Sequence, residues 1–296
     1  MMRTFVLKIC NLLCWLAVLL LIGLIAGGLC FLVYKGFAGL NSALFFGNTP
    51  VWEAVIGKRP VWDGIWPALV GTFSLVCLTM FLALLPGISC GIFLSEYASP
   101  KQRNWGNSLV DILAGMPSIV MGLFGFLLIL LLRHTFWPQA NTCLLLAAGC
   151  LALLILPVII VTTREALQAI PSNLRLTASS LGLKRWQSIR HIFLPCASKG
   201  ILGGVVLAIG RAAEDMAVIM LTGVVANSGL PAGLTGKFEA LPFHIYVISA
   251  EYQSADELTK GFSTSLVLLA LSTLFLVGAG LLERAYRKRW KGGAHS

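Results

Sequence analysis

Six stretches of about 20 or more mostly apolar residues constrain this chain more than any other feature, because each is long enough to cross a membrane as a helix. They cover approximately residues 10–34, 66–95, 109–132, 142–163, 201–225 and 262–282. Only 11% of the residues are charged, against about 25% in a typical soluble domain, which excludes a soluble enzyme. We therefore predict an all-α polytopic membrane protein with six transmembrane helices.

The distribution of Lys and Arg predicts the orientation of these spans. If the N-terminus is placed in the cytoplasm, most of the basic residues fall in segments on the cytoplasmic side. Cytoplasmic loops of membrane proteins carry such an excess, so both termini are predicted to be cytoplasmic. The basic residues are spread over separate loops and form no single face, so the net charge of +10 does not indicate nucleic-acid binding.

The spans and loops divide the chain into three predicted parts. Residues 1–63 hold an N-terminal cytoplasmic tip, the first transmembrane helix and an outer loop. Residues 64–285 hold the core with its longest cytoplasmic loop, 164–200, and residues 286–296 form a basic cytoplasmic tail.

The cytoplasmic loop 164–200 has its own helix signals. Ser172 or Asn173 is a candidate N-cap, a helix over 174–181 would end at Gly182 in the left-handed conformation, and a second helix over 185–191 would stop at Leu194-Pro195. A loop of this length usually carries a function, and a solvated connector is the alternative.

The loop resembles the EAA loop of the permease subunits of ABC importers. That pattern, E-A-A-x3-G-x9-I-x-L-P, is matched by Gly182, by Ile192 and by Leu194-Pro195, while Leu176, Thr177 and Ala178 stand where Glu, Ala and Ala are usual. The resemblance implies a helix that docks on a cytoplasmic ATPase. The coupling residues that it implies are Thr177, Ala178, Gly182, Leu183, Ile192, Leu194 and Pro195.

Further motifs resemble the phosphate permeases of ABC importers, within the family of binding-protein-dependent transport inner-membrane components. They are the run from Gly115 to Gly125, the run from Gly91 to Tyr97, and Gly210-Arg211-Ala212-Ala213-Glu214-Asp215. The resemblance covers roughly residues 65–285. It implies the ABC importer permease fold, a bacterial inner membrane and phosphate as the substrate.

The charged residues of the predicted fifth span are candidates for the substrate path. Arg211, Glu214 and Asp215 lie about ten residues into this apolar stretch, where a charge costs about 2.5–3.5 kcal/mol. A guanidinium matches two phosphate oxygens, and a carboxylate accepts the O–H that phosphate keeps and sulfate lacks. An internal ion pair of Arg211 with an acid at i+3 or i+4 is the alternative, and which acid acts stays open.

Ser118 is the fourth candidate for the substrate path. Pro117 is predicted to break the third span within the membrane, and broken helices near the midplane often mark substrate sites. The Ser118 hydroxyl could bond to freed carbonyls or to an anion, and a packing kink is the alternative.

The chain has no GxxxxGK[ST] sequence, which binds nucleotide phosphates in many ATPases. We therefore expect a non-catalytic membrane subunit with no cofactor of its own, while a partner binds ATP and Mg. The implied partners are a second permease subunit, two ATPase subunits, an extracytoplasmic phosphate-binding protein, inorganic phosphate and membrane lipid. The alternatives are a permease for another oxyanion such as sulfate or molybdate, and a channel or intramembrane enzyme that works without an ATPase.

Overall fold

The computed structural model describes residues 2–135 and 138–292. Within these residues the chain is helical, with one isolated bridge between Val224 and Phe238 and no strand. The helices are α1 (Met2–Phe37), α2 (Ser42–Phe46), α3 (Val51–Ile56), α4 (Trp66–Ile92), α5 (Pro100–Gly115), α6 (Ser118–Thr135), α7 (Leu144–Gln168), α8 (Ser172–Ser180), α9 (Arg185–Ser188), α10 (Leu194–Glu214), α11 (Ala217–Thr222), α12 (Leu241–Glu251) and α13 (Ala255–Gly292). Two π-helical segments, Phe93–Tyr97 and Ile189–Phe193, follow α4 and precede α10. Residues 293–296 of the predicted basic tail lie outside the described residues.

Within the part of the chain that the structure describes, six helical stretches are long and apolar enough to cross a membrane, which confirms the predicted number of spans. They are Leu7–Phe37, Trp66–Tyr97, Ser118–Thr135, Leu144–Gln168, Arg185–Glu214 and Ala255–Leu281. The loop predicted at 164–200 is shorter than expected, because α7 continues to Gln168 and α10 begins at Leu194.

The predicted start of the third span at residue 109 is wrong. A separate helix, α5, ends at Gly115, and the apolar span α6 begins only at Ser118. Between them Met116 is extended, with φ −73° and ψ 128°. Pro117 explains the break, because its ring disfavours the helical conformation of the preceding residue.

The predicted fifth span, 201–225, is also wrong in its limits. One helix, α10, ends at Glu214, and a short helix, α11, begins at Ala217 after the extended residue Asp215. At the other end, Pro195 does not stop a helix as predicted. It lies in the first turn of α10, which continues the π-helical segment Ile189–Phe193 without a break.

The long helix α7 is the most buried of the described spans. Three neighbouring helices approach it through glycines, where a side chain would not fit: a Cβ on each would lie 2.5–2.7 Å from an atom of α7. Small residues let helix backbones approach closely, which favours packing in a membrane. The contacts are Gly87 of α4 against Ile159, Gly125 of α6 against Cys150, and Gly200 of α10 against Ala166.

The break between α5 and α6 lies level with the middle of α7. Near the C-terminal end of α7, Arg164 donates a hydrogen bond to the Asn107 side chain of α5. Farther along, Val110 of α5 packs in one cluster with Ile160 of α7, and Met116 packs against a cluster whose residues on α7 run from Leu144 to Leu154. The two helices are therefore antiparallel, and α5 extends from the C-terminal end of α7 to about the middle of α7.

The break between α10 and α11 lies at the same level. A Cβ on Gly204 would meet Thr162 of α7, and Ala212 packs in one cluster with Ile155. Since Ile155 is also near the centre of the 25-residue α7, both helix breaks lie near the middle of the bundle.

The segment between α11 and α12 folds back onto the start of α7. The N–H groups of Leu144 and Leu145 donate to the carbonyls of Gly236 and Leu234, at 3.1 and 2.9 Å. Helix N-termini leave unpaired N–H groups, which are costly away from water. The segment accepts hydrogen bonds from two of these N–H groups, so the N-terminus of α7 is paired with protein.

The first helix, α1, packs against α13 near its C-terminal end. The Ser263 hydroxyl donates to the Gly36 carbonyl at 2.7 Å, and the rings of Phe31 and Phe262 meet edge to face at 5.7 Å. In the apolar stretch of α1 that could span a membrane, side chains are exposed in the single chain. A surface of this composition needs lipid or another membrane protein against it.

Candidate functional site

Arg211 and Glu214 lie in the last turn of α10, not within a continuous span as predicted. Both residues are exposed, and Leu207, one turn earlier on the same face, is 65% exposed. The opposite face of this turn, Ala212 and Ala213, is buried in the bundle. The two charged residues therefore lie at the middle of the bundle on a face that the chain itself leaves uncovered.

Among the residues whose side chains the structure describes, 7–135, 138–281 and 284, Arg211 forms no salt bridge. Glu214 follows at i+3, yet neither side chain has a hydrogen-bond partner among the residues whose side chains the structure describes. The alternative, an ion pair of Arg211 with the acid at i+3 or i+4, is therefore not formed, and both charged side chains are exposed to a ligand or to a neighbouring subunit.

Asp215 differs from Glu214 in its contacts. Its carboxylate accepts a hydrogen bond from the Val218 backbone N–H at 2.9 Å, as a capping residue does at the start of a helix. Asp215 therefore has a local structural task in ending α10 and starting α11, whereas the Glu214 side chain points to the uncovered face.

Ser118 is the half-buried first residue of α6. A Cβ on Gly122 of α6 would lie 2.9 Å from the Ala217 carbonyl of α11, and one on Gly125 would lie 2.6 Å from Thr222. The two helices thus run side by side in the same direction. Their first turns, and the breaks that precede them, lie at the same end of this pair, so Ser118 and Asp215 belong to one region.

The predicted coupling residues divide between buried and exposed positions. Ala178 of α8 is 1% exposed and packs in a cluster with Leu167 and Phe193, and Ile192 and Leu194 pack against the same cluster. Their side chains hold the connector to the bundle. Thr177 and Gly182 are exposed, and Leu183 and Pro195 are half-buried, as are Ile192 and Leu194.

Local predictions for this connector hold in part. Gly182 has φ +70°, the left-handed conformation predicted after the first helix. The N-cap prediction is wrong, because Pro171 occupies the N-cap and Ser172 is already helical. The second predicted helix does not end, because α9, the π-helical segment Ile189–Phe193 and α10 follow one another without a break.

Four apolar side chains beside the coupling residues are exposed, and none of them is among the predicted coupling residues. They are Leu174, Leu176, Leu181 and Trp186, at 40%, 65%, 68% and 59% exposure. Large apolar side chains in a polar loop were the available signal, because exposed apolar clusters mark interaction sites.

An ion pair between Arg175 and Glu96 was also missed. Two hydrogen bonds of 2.8 and 2.9 Å join the guanidinium to both carboxylate oxygens, and Arg175 donates a third to the Leu167 carbonyl at 2.8 Å. The hydrogen bonds to Glu96 raise the pKa of Arg175 above its ordinary value. Seventy-nine residues separate the two along the chain, so no local pattern connects them.

Known proteins resemble this chain over most of its length. The phosphate transport system permease protein PstA of Pasteurella multocida is 30% identical over 244 residues, which cover 81% of each chain. The phosphate transport system permease protein PstC 1 of Mycobacterium bovis is 27% identical over 83% of this chain and 80% of that protein.

A solved structure shares the fold. It is the crystal structure of a bacterial alginate ABC transporter in complex with an alginate pentasaccharide-bound periplasmic protein, with a TM-score of 0.61 at 16% identity, over 93% of this chain and 96% of that chain. The model of the family described as binding-protein-dependent transport system inner membrane component matches residues 87–288. With its six spans and ABC importer permease fold, the chain belongs to the family of binding-protein-dependent transport system inner membrane components.

Proposed function

We propose that this chain is the membrane-spanning permease subunit of an ATP-driven phosphate importer in a bacterial inner membrane. Relatives named as phosphate permeases, 27–30% identical over four fifths of the chain, support this assignment. The single observation that carries it is that Arg211 and Glu214 are exposed, level with the middle of the bundle, and form no salt bridge with any side chain that the structure describes.

This pair suits the chemistry of phosphate. The planar fork of Arg211 can donate two parallel hydrogen bonds to two phosphate oxygens. Glu214 can accept a hydrogen bond from the O–H that phosphate keeps near neutral pH, and sulfate has no such O–H to donate. Because the carboxylate also repels the anion, binding stays weak enough for release, as conduction requires.

Glu214 is the better candidate for the working acid. Asp215 is engaged with the Val218 N–H, so its removal would disturb the break between α10 and α11. Ser118, at the other break, would add a hydroxyl near the same region.

The exposed apolar side chains of α8 and its neighbours support coupling to a partner. In this proposal Leu176, Leu181 and Trp186 dock on a cytoplasmic ATPase, which binds ATP and Mg, and Gly182 sets the turn between α8 and α9. The complete transporter holds a second, related permease subunit, two ATPase subunits and an extracytoplasmic phosphate-binding protein. Both termini face the cytoplasm, and the chain itself catalyses no reaction.

The experiment that tests the substrate path is phosphate uptake by cells with the complete transporter and Arg211→Gln. We expect loss of uptake with normal assembly, and partial retention with Arg211→Lys, which keeps the charge but not the fork. Lys199→Gln, at an exposed basic residue in the first half of the same helix, is the matched control and should retain uptake. Normal uptake by Arg211→Gln would remove Arg211 from the path.

Competition with sulfate and molybdate separates phosphate from the other oxyanions. We expect neither to inhibit wild-type uptake, and we expect Glu214→Gln to admit sulfate. Inhibition of the wild type by sulfate would favour the alternative of a permease for another oxyanion. Transport by the purified chain without an ATPase would contradict the importer proposal altogether.

A further inference from the structure

Arg175 joins the short helix α8 to three other parts of the bundle. Its guanidinium binds both carboxylate oxygens of Glu96 and the Leu167 carbonyl, which is near the end of α7. It also lies over the ring of Phe193, 4.9 Å from the ring centroid. One side chain on α8 thus touches the ends of the second and fourth spans and the beginning of the fifth.

Glu96 is a firmly held partner for this arginine. Its side chain is only 10% exposed, and the Ser95 hydroxyl donates to the same carboxylate at 2.8 Å. A second arginine, Arg103, donates to the carbonyls of Leu94 and Ser95. The end of the second span therefore presents an oriented carboxylate to α8.

The two residues that Arg175 contacts on either side both lie in π-helical segments. Glu96 lies in Phe93–Tyr97, and Phe193 ends Ile189–Phe193. In each segment an N–H bonds to the carbonyl five residues earlier, from Ala98 to Phe93 and from Leu194 to Ile189. Such segments are rare, and they often occur at functional sites.

The remaining contacts of α8 are of a different kind. Ala178 is its one buried residue, and a methyl group in an apolar cluster gives no direction to a force. Two parallel hydrogen bonds between a guanidinium and a carboxylate fix a geometry as well as an attraction. The directional connection from α8 to the spans therefore runs through Arg175.

We infer that Arg175 is the positioning residue that transmits displacement of α8 to the second and fifth spans, through Glu96 and Phe193. This inference rests on the proposed function in one respect, that an ATPase moves α8. Because the fifth span continues through α10 to Arg211 and Glu214, the displacement reaches the two residues proposed for the substrate path.

The test is made on the complete transporter, reconstituted in lipid vesicles with its ATPase and binding protein. Phosphate uptake and ATP hydrolysis are both measured for wild type, Arg175→Gln, Arg175→Lys and Glu96→Gln. We expect Arg175→Gln and Glu96→Gln to lower the ratio of phosphate transported to ATP hydrolysed by tenfold or more, with hydrolysis within twofold of wild type. Arg175→Lys, which keeps one charged contact, should lie between.

Arg59→Gln is the matched control. Arg59 also pairs with a glutamate, Glu53, at 2.9 Å, but it is 67% exposed and lies between α3 and α4. Loss of Arg59 should leave the ratio of phosphate transported to ATP hydrolysed unchanged. The control therefore shows whether the effect depends on the position of the ion pair or only on the loss of any ion pair.

Two outcomes would overturn the inference. If Arg175→Gln lowers uptake, hydrolysis and the amount of assembled complex in the same proportion, the arginine only stabilises the fold. If uptake and hydrolysis both stay normal, it transmits nothing. Sulfate and molybdate are assayed alongside phosphate. If the wild type transports one of them and not phosphate, the proposed function is wrong. The ratio of that anion transported to ATP hydrolysed still decides the role of Arg175.

Discussion

Two adjacent glycines on α10 offer a direct test of how this helix is held against α7. A Cβ on Gly204 would overlap the Thr162 hydroxyl and would lie 2.5 Å from Thr162 Cβ and 2.9 Å from its Cγ2, whereas a Cβ on Gly203 would meet nothing within 4 Å. Thr162 has little room to yield, because its hydroxyl donates to the Val158 carbonyl at 2.7 Å and its β-branched side chain is stiff in a helix. Gly204→Ala therefore forces the two helices apart.

The expected magnitude follows from two terms. Each Gly→Ala change in a helix gains about 1 kcal/mol of helix propensity, and this gain is the same for the two neighbours. Overpacking costs about 1–3 kcal/mol and applies to Gly204 alone. We therefore expect Gly204→Ala to be less stable than Gly203→Ala by about 1–3 kcal/mol.

Thermal unfolding of the purified protein in detergent measures this difference. One kcal/mol corresponds to about 2–4 °C in the Tm of a chain of this order of size, so the two variants should differ by several degrees. Uptake should also fall in Gly204→Ala, because Arg211 lies two turns farther along the same helix. Equal Tm values for the two variants would refute the close packing of α10 on α7.

Three further changes test the site and the connector. Gly182→Ala forces a residue with a side chain to adopt φ +70°, at a cost of about 1–2 kcal/mol. We expect weaker co-purification of the ATPase with unchanged amounts of the chain in the membrane, and normal co-purification would contradict the role of this turn. Asp215→Ala removes the acceptor for the Val218 N–H and should lower the Tm, at a cost of about 1 kcal/mol. Asp215→Asn keeps an acceptor and should have the Tm of the wild type. An equal fall of the Tm in both variants would assign Asp215 a role for its charge. Trp186→Ala should leave the Tm of the isolated chain unchanged, since Trp186 is 59% exposed. As an interface residue that contributes about 2 kcal/mol, its loss should weaken ATPase binding more than tenfold, as measured by titration of the ATPase. A lower Tm without weaker binding would make Trp186 a structural residue.

The predicted site residues show where sequence reasoning stopped. Arg211 and Glu214 could be singled out because charges are costly in an apolar stretch. Their placement could not, since α10 ends at Glu214, before the extended residue Asp215, whose carboxylate accepts from the Val218 N–H. A helix boundary inside an apolar run depends on one such contact, and periodicity does not reveal it.

The number of membrane spans and the left-handed turn at Gly182 follow from the sequence by itself. Long apolar runs must be helical in a membrane, where each backbone group needs a partner within its own segment, and glycine adopts a positive φ without steric cost. Both are local properties of the chain. The contact of Arg175 with Glu96, the approach of Gly204 to Thr162 and the shared depth of the two helix breaks were decided only by the tertiary structure, because each joins residues that are far apart in sequence and that packing around α7 brings together.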